Sequence, residues 1–221
     1  MISKLIYQQI NNITISLIKE GLSIEQNFPS NRSIDGKYIV SFQNDNNICK
    51  ALKNETYKVI YDKLEKTKSY NIKLIDGALI QFMYICSREK LLSHRLAYMP
   101  SPFIEAYKNA QEIYGSDLLY GDIVRDSITP FPIRFDYSEN LQDFKEFYHS
   151  KSHLTLGEFD YCRIPVVGPV NPYSFISFIL KHFYIEDRLD EINKKIYAAD
   201  KIEFPFSITE KELKEPHFCI Y

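Results

Sequence analysis

A chain of 221 residues fits one domain of generous size, and a composition 45% hydrophobic and 25% charged supplies a core and excludes wholesale disorder. Formal charge is -2, from 27 Lys and Arg against 29 Asp and Glu, so a net basic surface for nucleic acid is excluded and only a local basic patch stays open. With 7 Gly there is neither a phosphate-binding loop nor a dinucleotide fingerprint, and no apolar run approaches the roughly 18 residues of a membrane span.

Ile2, Leu5, Ile6, Ile10, Ile13, Leu17 and Ile18 recur at three- and four-residue steps before Gly21, so residues 2–21 read as an amphipathic helix packed on the rest of the domain. Lys4, Gln8, Gln9, Asn11 and Asn12 interrupt it, which no signal peptide would tolerate. Residues 22–36, with Pro29, Asn31 and Asp35-Gly36, read as loop and turn, and 37–43 as a short strand. Asn54 is a candidate N-cap for a helix over 56–68, with Val59, Ile60 and Leu64 on one side. The lysines from Lys53 to Lys68 alternate with Glu55, Asp62 and Glu65, which describes a solvated face with ion pairs rather than a phosphate track. Asp76-Gly77 introduces a strand over 78–86 that a polar turn returns as 91–98, and Pro100 and Pro102 close this hairpin because proline cannot continue a ladder. Residues 103–114 read as a short helix ended by Gly115.

Alternation then puts Ile133, Phe135 and Tyr137 on one face of a strand over 133–137, with Arg134 and Asp136 on the other. Residues 144–149 and 153–159 read as two further strands joined by 150–152, a hairpin that sets His149 opposite His153, with Cβ atoms about 5 Å apart. Asn171 as N-cap and Pro172 at the first helical position open a helix with Phe175, Ile176, Ile179, Leu180 and Phe183 along one stripe. Residues 189–199 continue as helix, and 217–221 add an edge strand. This order gives an α+β domain over 1–221, built on a mainly antiparallel twisted sheet with helices packed on one face and the other face free to be polar. The 17 Tyr and 15 Phe suit half-buried sheet faces and, more weakly, a binding surface, the ring packed and the hydroxyl wet.

If the strand at 133–137 lies beside the later hairpin, Arg134, Asp136, His149, His153 and Thr155 project from one sheet face. Two adjacent imidazoles can act as general acid and base on a phosphodiester, because a pKa near 6.5 lets one be neutral while the other is protonated. Arg134 would hold the phosphate bidentately, and Asp136 would orient a histidine through its second nitrogen. The plainer reading is an Arg-Asp pair and two hairpin histidines with structural roles. A two-histidine, one-carboxylate metal site is a weaker alternative, lacking a third histidine or the H-E-x-x-H spacing, so neither metal nor cofactor is expected. His153-Leu154-Thr155-Leu156 resembles half of the paired His-x-Thr-x signature of two-histidine phosphoesterases, yet neither His94 nor His217 is followed by the second threonine. His94 beside Arg95 reads as a hydrogen-bonded structural pair. Cys49, Cys86, Cys162 and Cys219, with no C-x-x-C pair, read as isolated thiols of a reduced, cytoplasmic protein.

Arg-Phe-Asp-Tyr at 134–137, His149-x-x-x-His153, Cys-Arg-Ile-Pro at 162–165 and Pro-Val-Asn-Pro-Tyr-Ser-Phe-Ile at 169–176 belong to a longer pattern. With Asp-Gly-Ala-Leu-Ile-Gln at 76–81 and Ser-His-Arg-Leu-Ala-Tyr at 93–98, it resembles the uncharacterised bacterial family catalogued as domain of unknown function 2290. Ser150 departs from an expected proline, and the tail after Glu203 is not matched. The resemblance assigns no residue a job, but it implies an accessory gene of mobile islands or anti-phage defence loci. The expected function is a component of a bacterial defence or mobile-element system that recognises a partner protein encoded nearby or a nucleic acid, without a membrane. The alternative is a toxin-like, metal-independent phosphodiesterase or ribonuclease using His149 and His153.

Overall fold

The isoleucine stripe at the start of the chain folds as α1 (Ile2–Lys19), with Ile6, Ile10, Ile13 and Leu17 fully buried. Gly21 adopts a left-handed φ of 72° just past its end. That turn lets the Leu22 and Gly21 amides donate back to the carbonyls of Leu17 and Ile18, satisfying orphan acceptors of the last turn. The computed structural model describes residues 1–43, 55–103, 131–142, 144–157, 161–184 and 202–220. The helices expected at 103–114 and 189–199 lie outside these residues, all but Phe103.

Nine strands form one open sheet among the described residues. They are β1 (Ser23–Gln26), β2 (Ser30–Ile34), β3 (Lys37–Ser41), β4 (Ile72–Leu74), β5 (Leu79–Cys86), β6 (Leu91–Met99), β7 (Ile133–Ser138), β8 (Ser152–Leu156) and β9 (Ile164–Pro165). Every strand pairing is antiparallel, and β5 to β9 lie in chain order. On its other edge the long β5 is met end to end by two short partners: β4 along Leu79 and Ile80, β3 along Tyr84 to Cys86. The loop expected at 22–36 is therefore corrected to two strands. Asp35 and Gly36, both at positive φ, make the two-residue turn that joins β2 to β3.

Alternation assigns the faces. Ile80, Phe82 and Tyr84 pair across to Tyr98, Leu96 and His94, and these to Ile133, Phe135 and Tyr137. This is the face that α1 and α3 (Pro172–Phe183) cover, with Phe175 set edge-on against both Phe82 and Phe135. Asn171 caps α3 as expected, its Oδ1 accepting the Ser174 amide at 2.8 Å. The α+β class, the antiparallel sheet and the two long helices on one face are as the sequence led us to expect. The short α2 (Tyr57–Lys66) is the departure. Its Tyr61 and Leu64 pack with Leu79, Ala97 and Met99, the alternate residues of β5 and β6, so it covers one end of the opposite face.

Candidate functional site

The rest of that opposite face carries polar side chains in register. Met83 pairs with Arg95, Arg95 with Asp136 and Asp136 with His153, one row across four strands. A neighbouring row runs Arg32, Ile39, Ile85, Ser93, Ser138. Together they floor a cleft of about 560 Å³, which the chain around His149 and Arg163 completes. Among the described residues, five cations line it (Arg32, Arg95, Arg134, Arg163 and Lys151) and one carboxylate, that of Asp136. A chain of net charge -2 thus gathers, among its described residues, a concavity rich in cations.

Asp136 is the electrostatic centre. Burial works to raise its pKa, yet Arg95 and Arg134 outweigh it and hold the carboxyl below the usual range. Arg95 Nε donates to Oδ1 at 2.8 Å, and Arg134 Nε stands 3.6 Å from Oδ2, an ion pair without a hydrogen bond. Among the described residues, this one carboxylate is shared by the guanidiniums of Arg95 and Arg134.

The expected residues come together, by a different route from the one expected. Residues 144–149 do not form a strand. They make a tight turn closed by a bridge between Lys145 and His149, with Phe147 in the left-handed region at φ 69°. The strand containing His153 pairs instead with β7, His153 facing Asp136 and Thr155 facing Arg134. His149 and His153 nevertheless meet, with ring centroids 4.8 Å apart. Thr155 shares the face, but its buried hydroxyl has no hydrogen-bond partner and it is not on the cleft wall.

Asp136 does not orient His153 in the manner expected. The Ser150 carbonyl, 2.9 Å from Nδ1, can only accept, so Nδ1 carries the hydrogen and Nε2 the lone pair. Nε2 faces Asp136 Oδ2 at 4.0 Å. Burial pulls the His153 pKa below its ordinary value more than Asp136 raises it, which keeps the ring neutral at pH 7.

One residue that shapes the site was not legible in the sequence. Glu212, fully buried, starts a short 3-10 turn (Glu212–Lys214) in a reciprocal cap: its amide donates to Thr209 Oγ1 and its Oε2 accepts the Thr209 amide. Its other oxygen accepts from the Phe147 amide and the Ser150 hydroxyl. Glu212 thus grips both sides of His149, and Ser150 in turn holds His153. Thr209-x-x-Glu212 is a capping-box pattern, the only sequence trace of this clamp.

The remaining candidates are structural. His94 lies on the helix-covered face, its Nδ1 3.2 Å from the Phe135 carbonyl and its Nε2 accepting the Val170 amide at 2.9 Å. Of the described cysteines, Cys86 is buried with its thiol pushed up to about 12, and Cys162 and Cys219 are free. Among the described residues no three His, Cys, Asp or Glu side chains converge on a metal-sized site. None of their helices is long and apolar enough to cross a membrane.

Fold and site define an α+β protein with an open antiparallel sheet, apolar and helix-covered on one face and bearing a cationic cleft on the other. The chain belongs to the family described as uncharacterized conserved protein, DUF2290, whose model matches residues 22–220. The match runs through the tail after Glu203, including Glu212, and leaves out α1 although α1 is part of the core. No curated protein and no solved structure matches the chain.

Proposed function

We propose that the cleft recognises the phosphodiester backbone of a nucleic acid, as the binding component of a bacterial defence or mobile-element system. The observation that carries this reading is the charge of the described lining, four arginines and a lysine around one aspartate. Arginine presents a planar fork of donors matched to phosphate oxygens, and in a concavity such charges act together. A protein partner is the less favoured occupant, since protein interfaces deplete charge from their centre. Fluorescence anisotropy with a labelled oligonucleotide tests it. Binding should weaken as salt rises, and Arg134→Ala or Arg163→Ala should each weaken it and flatten the log-log salt slope by roughly 0.7 to 0.9. Binding unchanged in both variants would remove the cleft from consideration.

A second reading, phosphodiester cleavage, is favoured by the histidine pair. His153 offers a neutral Nε2 as base, and His149 beside it is the candidate acid. Under this reading His149→Ala and His153→Asn each abolish cleavage of a labelled RNA. Cleavage that survives both substitutions ends it.

A further inference from the structure

The shape of the cleft and the rings beside it bear on which nucleic acid would fit, an inference that rests on the backbone-binding reading above. At the floor, the side chains of Asp136 and His153 are 14% and 8% exposed, whereas those of Arg95 and Arg134 are 36% and 39% exposed. A phosphate that reaches these groups must enter a recess of about 560 Å³. A duplex is stiff over a persistence length of about 150 bp and keeps its bases stacked inside, so it would meet only the rim. A single strand can bend a phosphate inward and turn its bases out.

Two exposed tyrosines lie close along the chain to residues that line the recess. Tyr148, immediately before the cleft-lining His149, is 75% exposed, and Tyr161, two residues before the cleft-lining Arg163, is 94% exposed. Phe147, in the same turn as Tyr148, is also exposed. A solitary exposed aromatic is ordinary on a protein surface. These stand on the two segments that bring His149 and Arg163 to the cleft. The turn carrying Tyr148 is held by Glu212, so that ring sits on a fixed support rather than a loose loop. A positive groove flanked by aromatic platforms is the arrangement that binds single strands without reading sequence.

We infer that the cleft is a single-stranded nucleic-acid site, in which the arginines hold the backbone and Tyr148 and Tyr161 stack on unpaired bases. The experiment compares one labelled oligonucleotide as single strand, the same sequence as duplex, and inorganic polyphosphate of similar charge, all with the full chain. The single strand should bind tightest. Tyr148→Ala and Tyr161→Ala should each weaken it by roughly five- to 100-fold, and Tyr→Phe at either position should restore it, because the ring and not the hydroxyl stacks. Polyphosphate, having no bases, should bind the alanine variants as it binds the unaltered chain. Both side chains are exposed, so neither substitution removes core packing. Equal affinity for strand and duplex, or alanine variants that bind the strand unchanged, would overturn the inference and leave backbone recognition standing. Strand binding indifferent to both Arg134→Ala and Arg163→Ala would overturn both.

Discussion

His94, read from the sequence as a hydrogen-bonded structural residue beside Arg95, bonds to Phe135 and Val170. It donates from Nδ1 to β7 and accepts at Nε2 from Val170, so it joins β6 to the strand beside it and to the approach to α3. Burial holds its pKa at about 4 instead of 6.5. Between those pH values the unfolded chain takes up a proton that the folded chain refuses, so stability falls as pH drops through that window. His94 alone should contribute about 3 kcal/mol to this loss. His153, also depressed, adds in the same direction. Chemical denaturation followed from pH 7 to pH 4 checks this: His94→Gln should be less stable at pH 7 and show a flatter dependence. An unchanged slope would mean that His94 is not the proton acceptor withheld by folding.

Elements show what local pattern can and cannot report. The stripe of α1, the Asn171-Pro172 start of α3 and the alternation of β7 were legible because each has its period and its boundary within a single run of residues. β1, β2 and β4 were not. Ser-Asn-Arg-Ser-Ile of β2 has no apolar alternation; β4 owes its place to the edge of β5, and β1 and β2 to the outer edges of β4 and β3. Asp35-Gly36 was the available signal for the β2–β3 hairpin, and it was read as a turn without its first strand. The turn at 145–149 is a sharper case. Its residues resemble a strand, but its shape depends on a carboxylate more than 60 positions later, a dependence no local pattern carries. Glu212→Ala should therefore loosen it. Losing a buried, charge-accepting group and stranding its donors costs on the order of 3 kcal/mol. Hydrogen exchange should rise first at the amides of Phe147 to His149, with β5 and β6 still protected. Uniform loss of protection would instead mean that the clamp supports the whole fold.

For the whole molecule, composition was informative about class and misleading about surface. A balance of 27 to 29 charges argues against nucleic acid only if the charges are mixed evenly. Folding does not mix them. Cross-strand register sets Arg95 and Asp136 side by side, and the turn and β9 approach bring Lys151 and Arg163 from elsewhere. The adjacency of His149 and His153 was foreseeable from their spacing, because any tight reversal between them brings the rings close. Their partners were foreseeable only in part, since pairing with β7 rather than with 144–149 decides that His153 faces Asp136.

The same separation of faces makes a positional prediction. An amide-resolved NMR titration of the full chain with a short single-stranded oligonucleotide should move the resonances of Arg95, Arg134, Asp136, His149 and His153 first. Those of Ile10, Ile13 and Leu17 in α1, under the opposite face, should stay in place. Shifts gathered on α1 or α3 with the cleft silent, or no shifts at all at low salt, would contradict the assignment of this cleft as the site of function.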